Sequence, residues 1–235
     1  MYIRAQHENS REMKLVKRKK SKGPGRPSKA LAQDRDSREQ LLAVAAKLFA
    51  RYGYDGVTTV AIAKAVGVRQ SMIHYHFKSK ALLWEETIHY IMRRRKAVFP
   101  INDPVIATLP PVERAKTHIR LLFDASIKEP EYGRIFQYEA IVRGDRFKWL
   151  MDQYVRRSVA IIDRTIAEAV ESGELRDLPV EHLTAIISVP RYLSIVFEAV
   201  VSDIHKIDAP AHEYMAGLCE TYIDVLFNGM LKRPG

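Results

Sequence analysis

The sequence has 235 residues, 47% hydrophobic and 28% charged, which is typical of a globular chain and excludes disorder throughout. A single cysteine excludes an intramolecular disulfide, and the lack of an apolar run of roughly 18 to 20 residues or of a signal peptide predicts a cytoplasmic protein without a membrane partner. Residues 1–96 carry 22 lysines and arginines and 8 aspartates and glutamates, whereas residues 97–235 carry 16 and 20, an asymmetry that indicates nucleic-acid or anionic-surface binding through the N-terminal part.

Residues 1–36 show no apolar periodicity and are rich in lysine, arginine, serine, glycine and proline. They are predicted to form a basic, disordered arm. Gly25-Arg26-Pro27, flanked by lysines, is similar to the core of an AT-hook, which lies in the narrow minor groove of A·T-rich DNA. The usual core has an arginine before the glycine, where this chain has Pro24. A solvated basic tail is the alternative, and both forms would strengthen DNA binding by releasing counterions.

An apolar stripe with helical spacing begins at Leu41. Ser37 is the predicted N-cap of this first helix, with Gln40 at the capping-box position, and Gly53 is the predicted C-cap.

Thr58 or Thr59 is predicted to cap a short second helix through Val66, and a third helix begins near Gln70. Two short helices joined by a glycine-containing turn form a helix-turn-helix, placed at about 58–77. The next predicted helix, capped by Ser79, runs from about Lys80 to Arg95.

Four prolines between residues 100 and 111 predict a linker after this N-terminal domain of residues 37–96. Beyond the linker, the pattern predicts only helices, and nothing alternates with period two for long enough to form a strand. The predicted fold class is therefore all-α. The remaining helices are placed at about 111–128, 131–142, 146–172, 180–202 and 210–231.

Residues 37–95 contain a series of spaced residues that begins with Ala46, Leu48 and Phe49. It continues through Tyr52-Gly53-Tyr54-Asp55-Gly56, then Thr58, Thr59, Val60, Ile62, Ala63, Gly67 and Val68, then Ile73, Tyr75, His76, Phe77, Lys78, Ser79, Lys80, Leu82 and Leu83. This series resembles the DNA-binding domain of the TetR (tetracycline-repressor) family of transcription regulators. The resemblance implies that residues 97–235 form a helical effector-binding and dimerisation domain.

The resemblance also implies that the helix beginning at Gln70 enters the major groove of double-stranded DNA. Gln70 can pair bidentately with adenine, Ser71 can donate or accept a hydrogen bond, and Met72 offers apolar contact. Arg69 stands where the family commonly has a capping serine or threonine, and His74 where many members have a tyrosine. The implied phosphate-binding residues are Thr58, Thr59, Tyr75 and Lys80, and Arg69, His74, Lys78 and Arg26 complete the predicted DNA-binding set.

The last two predicted helices each carry an apolar stripe, and the family uses two such helices to dimerise. The resemblance thus implies a homodimer, through helices about 180–202 and 210–231, that represses transcription from a pseudo-palindromic operator. The alternative is that both stripes serve only the internal core. The stripes comprise Leu183, Ile186, Ile187, Pro190, Ser194, Phe197 and Val201, and Met215, Leu218, Tyr222, Val225 and Leu226.

Aromatic and polar side chains within otherwise apolar helices are the candidates for an effector pocket. They favour a small-molecule effector of apolar or aromatic character. These candidates are His118, Phe123, Phe136, Tyr138, Glu139, Tyr154, Arg191 and Tyr192.

An architectural DNA-binding protein and a metal-dependent enzyme are the two alternatives to a regulator. An architectural, nucleoid-type protein without an effector would use the basic arm and show little sequence preference. Glu86-x-x-His89 has the spacing of a di-iron ligand pair, but a second Glu-x-x-His is missing from the sequence. His74 and His76 point to different faces of a helix, so they do not form a metal-binding pair. Together, these two observations lead us to predict no metal site, no cofactor and no enzyme activity.

Overall fold

A computed structural model of the chain describes residues 29–188, 200–207 and 212–230. Several predicted features lie outside these residues: Arg26 with its AT-hook-like segment, Pro190, Arg191, Tyr192, Ser194 and Phe197. The described part is built from helices, which confirms the all-α prediction. None of the described helices is both long and apolar enough to cross a membrane.

Within the residues that the structure describes, the helices form twelve numbered elements and one π-helical segment, and residues 200–205 represent α11. They are α1 Lys29–Tyr52, α2 Thr59–Val66, α3 Gln70–Phe77, α4 Lys80–Val98, α5 Pro104–Ala107, α6 Pro111–Lys128, α7 Pro130–Val142, α8 Asp145–Leu150, the π segment Met151–Val155, α9 Arg156–Glu171, α10 Val180–Ser188, α11, and α12 His212–Met230.

The predicted start of the first helix is wrong, because α1 begins at Lys29 and Ser37 lies inside it. The eight residues before Ser37 are Lys-Ala-Leu-Ala-Gln-Asp-Arg-Asp, and each of the first five has high helix propensity. They extend the helix backwards, so no cap is needed at Ser37. The predicted end is confirmed, since Gly53 follows α1 with a φ of +70° and its N–H donates to the Phe49 carbonyl at 2.9 Å.

Two further departures concern the C-terminal half. Residues 146–172 were predicted as one α-helix, but a π turn at Met151–Val155 separates α8 from α9. The linker contains the short helix α5, which Asp103 caps by accepting a hydrogen bond from the Val105 N–H at 2.8 Å. The other predicted helices agree with the structure within a few residues at the ends that are described.

A first hydrophobic core joins α1–α4 to α7, α8 and the π segment. Phe49 and Trp84 are completely buried in it, together with Ile135 and Leu150 from the second half of the chain. The helices that flank the helix-turn-helix, α1 and α4, are thus packed against α7 and α8, so a displacement of these helices reaches the N-terminal helices through packed side chains.

A second core lies among α6, α9, α10 and α12. Ile119, Ile166 and Ile187 are completely buried there, and Met215 is 3% exposed. Part of the predicted dimer stripes therefore serves the core of the chain itself. Val225 is 70% exposed and remains available to a partner.

Candidate functional site

Helix α2 is fixed at both ends by its sequence. The Thr58 hydroxyl accepts a hydrogen bond from the Ala61 N–H at 3.1 Å, which satisfies one of the free donors at the helix start. Gly67 ends the helix with a φ of +81°, a conformation that glycine adopts without strain. Thr58 is confirmed as the residue that caps α2.

Helix α3 buries one side and exposes the other. Ile73 and Phe77, four residues apart, are 1% and 3% exposed and anchor the helix in the first core. Tyr75 is 69% exposed. The remaining solvent-facing residues of this helix are Gln70, Ser71 and His74, with Met72 and His76 partly buried.

Local hydrogen bonds orient the exposed polar side chains before any partner binds. The Gln70 amide Nε2 donates to the Thr59 hydroxyl at 3.2 Å and so links the starts of α3 and α2. His74 Nδ1 donates to the Lys78 carbonyl at 3.1 Å. Several predicted DNA-contacting residues are therefore neighbours in space.

The turn between α3 and α4 places two cations beside the exposed side of α3. Lys78 has a φ of +62°, which is unusual for a residue with a side chain. Ser79 caps α4 by accepting from the Leu82 N–H at 3.1 Å, so Lys80 occupies the first position of the helix. The Lys80 ammonium lies 4.2 Å from the centre of the Tyr54 ring.

Residues 58–80, hereafter the DNA surface, contain four lysines and arginines and no aspartate or glutamate. Lys64, Arg69 and Lys78 are exposed, and Lys80 is partly exposed. Arg69 precedes α3 without a side-chain capping bond, which leaves its guanidinium unused by the helix. Such a surface can neutralise phosphates while α3 presents hydrogen-bonding groups to a groove.

A cavity of about 640 Å³ lies between the C-terminal part of α4, the following loop and the start of α9. Its size is within the range of small-molecule sites. It is lined by Met92, Arg95, Lys96, Phe99, Pro100, Ile101, Asn102, Asp103, Gln153, Tyr154, Arg157 and Ser158. A smaller recess shares several of these residues and adds Leu122, Tyr132, Val155, Val159 and Ile162.

Arg95 forms part of the cavity wall although it is only 4% exposed. It donates to the Ala125 carbonyl at 3.2 Å and lies 5.0 and 5.2 Å from the ring centres of Tyr132 and Phe99. These contacts hold a positive charge at the junction of α4, α6 and α7.

The π segment carries Tyr154 into this cavity and connects it to α4. The Tyr154 hydroxyl and His89 Nδ1 form a short hydrogen bond, and the two rings also meet edge to face. Burial raises the pKa of Tyr154 above its usual value. Single π turns inside α-helices occur frequently at functional sites.

The structure separates the eight predicted effector residues. Tyr154 lines the cavity described above, whereas Phe123 lines a different cleft between α6 and α12. Tyr138 is 41% exposed and its hydroxyl donates to the Arg51 carbonyl at 3.0 Å. His118, Phe136 and Glu139 are buried, and Arg191 and Tyr192 lie outside the described residues.

Two of these buried residues are electrostatically distinctive. His118 is 1% exposed, and within the described ranges neither ring nitrogen has a hydrogen-bond partner. Burial, reinforced by the charge of Arg114, lowers the pKa of His118 to about 4. Glu139 is 2% exposed and accepts a hydrogen bond from Arg146 Nε at 2.9 Å.

Most residues that line the cavity were not predicted from the sequence. Arg95 was assigned to the end of a helix, Lys96 to the end of the N-terminal domain, Phe99 to a linker and Arg157 to a helix without a role. The run Arg93-Arg94-Arg95-Lys96, with Phe99 four residues after Arg95, was the available signal. In the part of the chain that the structure describes, His, Cys, Asp and Glu residues form no group of three that could hold a metal.

An exposed cationic helix-turn-helix, joined to a helical half that borders a cavity, is typical of a DNA-binding transcription regulator. Residues 41–87 match the model for bacterial regulatory proteins of the tetR family. Residues 111–226 match the model for the tetracyclin repressor-like C-terminal domain. The chain belongs to the TetR family, whose members are DNA-binding transcription regulators rather than enzymes, often repressors, with ligand-binding domains.

Curated relatives include regulators and a nucleoid protein. The chain is 28% identical over 142 residues to the nucleoid occlusion factor SlmA of Vibrio atlanticus, an alignment that covers 60% of this chain and 69% of SlmA. It is 35% identical over 51 residues to IcaR of Staphylococcus aureus, a negative transcriptional regulator of the icaADBC biofilm operon. That alignment covers 22% of this chain and about a quarter, 27%, of IcaR.

Solved structures share the fold at low sequence identity. AibR, in complex with isovaleryl coenzyme A and operator DNA, has a TM-score of 0.66 at 16% identity, covering 81% of this chain and 98% of AibR. The ketosteroid transcriptional regulator KstR2 of Mycobacterium tuberculosis has a TM-score of 0.64 at 21% identity, covering 83% and 95%. The hemolysin II regulator HlyIIR has a TM-score of 0.63 at 18% identity, covering 85% and 99%.

Proposed function

We propose that this chain is a ligand-responsive repressor that binds a pseudo-palindromic operator as a homodimer. The observation that carries this proposal is the DNA surface, where α3 exposes hydrogen-bonding side chains within a segment of four cations and no carboxylates. The positive charge supplies affinity for any DNA, and contacts to base edges supply sequence preference.

The residues of the DNA surface divide into two roles. Gln70, Ser71 and Met72, in the first turn of α3, read base edges, and Gln70 exchanges its bond to Thr59 for a bidentate contact to adenine. The other residues bind the phosphate backbone of DNA, and the N-terminus of α4 reinforces the charge of Lys80 there. This second set comprises Thr58, Thr59, Arg69, His74, Tyr75, Lys78 and Lys80, and Arg26 reaches the adjacent minor groove.

The dimer face lies on the last helices of the chain. Apolar side chains that the chain's own core leaves exposed are concentrated there, and two copies would cover them. Two recognition helices then lie about 34 Å apart, one turn of DNA. The exposed apolar residues of this region are Ile186, Val200, Ile204, Ile207 and Val225.

A pair of charge substitutions tests the dimer face. Val225→Glu places a charge in the proposed interface without disturbing the core, because Val225 is 70% exposed in a single chain. Ile141→Glu is the matched control, since Ile141 is 82% exposed on α7. Sedimentation equilibrium should show a dimer for wild type and Ile141→Glu and a monomer for Val225→Glu. A dimeric Val225→Glu variant would refute this face.

The cavity is placed to control the DNA surface through α4. Met92, Arg95 and Lys96 of α4 line it, and Lys80 at the other end of this helix follows α3 after a turn of two residues. A ligand that favours a different tilt of α4 changes the separation of the two recognition helices. AibR, which shares the fold, binds isovaleryl coenzyme A and operator DNA. Linkage then requires operator DNA to weaken ligand binding by the same factor by which the ligand weakens operator binding, typically about 5 to 150-fold.

Operator selection from a random DNA library, followed by affinity measurements at several salt concentrations, tests the proposal. Lys80→Ala should weaken binding to all sequences equally and lower the salt slope by about 1. Gln70→Ala should relax preference at one position by about 1 to 3 kcal/mol. Lys148→Ala is a control with the same charge change on α8, and it should bind like wild type.

Two outcomes would contradict this proposal. Equal affinity of the wild type for all DNA sequences at fixed salt would favour an architectural protein. A change of sequence preference in Lys80→Ala with unchanged overall affinity would refute the division of roles on the DNA surface.

A further inference from the structure

The cavity beside α4 has a strongly positive lining. Arg95, Lys96 and Arg157 contribute three cations, and Asp103 contributes the one carboxylate among its lining residues. The Asp103 carboxylate already accepts a hydrogen bond from the Val105 N–H at 2.8 Å as the cap of α5. Because these charges border a space partly enclosed by protein, they favour a negatively charged occupant more strongly than the same charges on open surface.

Two of the cations are available to such an occupant. Lys96 and Arg157 are exposed, and neither has an ion-pair partner among the residues that the structure describes. Their chain neighbours are paired: Arg94 contacts Glu129 at 2.9 Å, and Arg156 contacts Asp152 at 2.8 Å. Lys96 and Arg157 therefore keep their charges available to an occupant of the cavity that they line.

The rest of the lining suits an apolar or aromatic body. Met92, Phe99, Ile101 and the ring of Tyr154 border the main space. The recess continues between the apolar side chains of Leu122, Val155, Val159 and Ile162. A ligand with a charged end and an apolar end therefore finds both environments in one cavity.

We propose that the ligand of this cavity is an organic anion. Its negative group, a carboxylate, sulfonate or phosphate, lies between Lys96 and Arg157, and its apolar part lies against Phe99 and Tyr154. This inference rests on the proposed function, because it names the class of effector that the cavity would take. It adds a negative group to the apolar or aromatic effector predicted from the sequence.

A matched pair of fluorescent probes tests the charge requirement on the purified, DNA-free protein. Anilinonaphthalene sulfonate has an aromatic body and a negative charge, and N-phenylnaphthylamine has nearly the same body without the charge. The wild type should bind the sulfonate more tightly than the neutral probe. Arg157→Gln and Lys96→Gln should each weaken the sulfonate about three- to tenfold and leave the neutral probe unchanged.

Two further variants locate the probe. Arg156→Gln makes the same charge change one residue away, outside the cavity lining, and should bind both probes like wild type. Ser158→Phe places a ring in the cavity at a residue that also lines the recess, and it should weaken binding of both probes. Circular dichroism verifies that each variant retains the helical content of wild type.

The outcomes are distinct. Three results would overturn the proposal: an equal loss of sulfonate affinity in Arg156→Gln and Arg157→Gln, wild-type sulfonate affinity in Arg157→Gln and Lys96→Gln, or sulfonate affinity unchanged by Ser158→Phe. Operator selection addresses the proposed function separately. If the protein selects an operator but shows no charge-dependent probe binding, only the proposal of an organic anion is refuted. If it binds the sulfonate as expected but selects no operator, only the proposed function as a regulator is refuted.

Discussion

The DNA surface and the interior of residues 87–184 hold their polar groups in opposite ways. Each lysine and arginine of residues 58–80 is at least partly exposed, and the hydrogen bonds there join residues at most eleven positions apart. The later region buries Arg95, His118, Glu129 and Glu139.

The difference follows from what each region has to do. A DNA-binding surface must keep its charges hydrated until phosphates replace the water, so the chain needs only local contacts to orient them. A buried charge must find its partner inside the protein, because an unpaired charge in the interior is costly. Two of the buried groups, Arg95 and Glu129, therefore depend on long-range contacts, such as the bond from Arg95 to the Ala125 carbonyl, thirty residues away.

Two glycines with the same backbone conformation separate local from long-range requirements. Gly67 has open space where a Cβ would be, whereas a Cβ on Gly53 would lie 3.2 Å from the Tyr138 ring of α7. Gly67→Ala should cost about 1 to 2 kcal/mol from the positive φ alone. Gly53→Ala should cost about 2 to 4 kcal/mol, because crowding against Tyr138 is added. Urea unfolding measures both, and equal losses would show that Tyr138 yields freely.

The ion pair between Glu139 and Arg146 provides the second test. Arg146→Met leaves the Glu139 carboxylate buried without its partner and removes a guanidinium 3.8 Å from the centre of the Tyr54 ring. We expect a loss of about 2 to 3 kcal/mol in the free energy of unfolding, less than for a fully buried pair because Arg146 is 29% exposed. Lys148→Met, which removes an exposed cation from the same helix, should change stability little.

Replacement of both partners completes this test. In Glu139→Leu/Arg146→Met no buried charge is left unpaired, so much of the lost stability should return. A double variant as unstable as Arg146→Met would show that the contact with Tyr54, rather than the ion pair, stabilises this region.

His118 makes the stability of the interior depend on pH. Since burial lowers its pKa to about 4 from 6.5, the unfolded chain binds a proton between these pH values that the folded chain excludes. The stabilisation is complete above pH 6.5 and decreases as the pH falls toward 4. His118→Leu should remove about 2 kcal/mol of the stability difference between pH 8 and pH 5. Urea titrations at both pH values, with the exposed His182→Leu as a control, measure it.

The contrast between the two regions also explains what the sequence predicts. Thr58, Gly67 and Ser79 act on residues three or four positions away, so their roles were apparent from spacing. Family resemblance then implied which exposed residues face DNA. The prediction of Ser37 as an N-cap was wrong because a serine marks the start of a helix only when the residues before it do not continue the helix.

The cavity could not be predicted in the same way. Tyr154 reaches it because a π turn rotates this part of the helix, and the sequence Met-Asp-Gln-Tyr-Val carries no recognisable signal for such a turn. Arg95 and Arg157 come from helices sixty residues apart, and their meeting depends on how α4 and α9 pack. His118 and Glu139 were chosen as polar residues in apolar helices, which identifies buried polar groups but not the space they border.

The smallest expected effect concerns Arg69, a residue that leaves α3 without a stabilising cap and that we propose binds a DNA phosphate. This residue precedes α3 without a capping bond, in the position where Thr58 caps α2. Arg69→Ser should stabilise the protein by about 0.5 to 1 kcal/mol by adding a cap, while Thr58→Ala should cost about 1 kcal/mol by removing one. Arg69→Ser should also weaken operator binding, with a salt slope lower by about 1, because one phosphate contact is lost. Thermal unfolding and salt-dependent binding measure the two effects independently. If Arg69→Ser gained stability and kept full affinity, Arg69 would have no part in DNA binding, and the missing cap would have no functional reason.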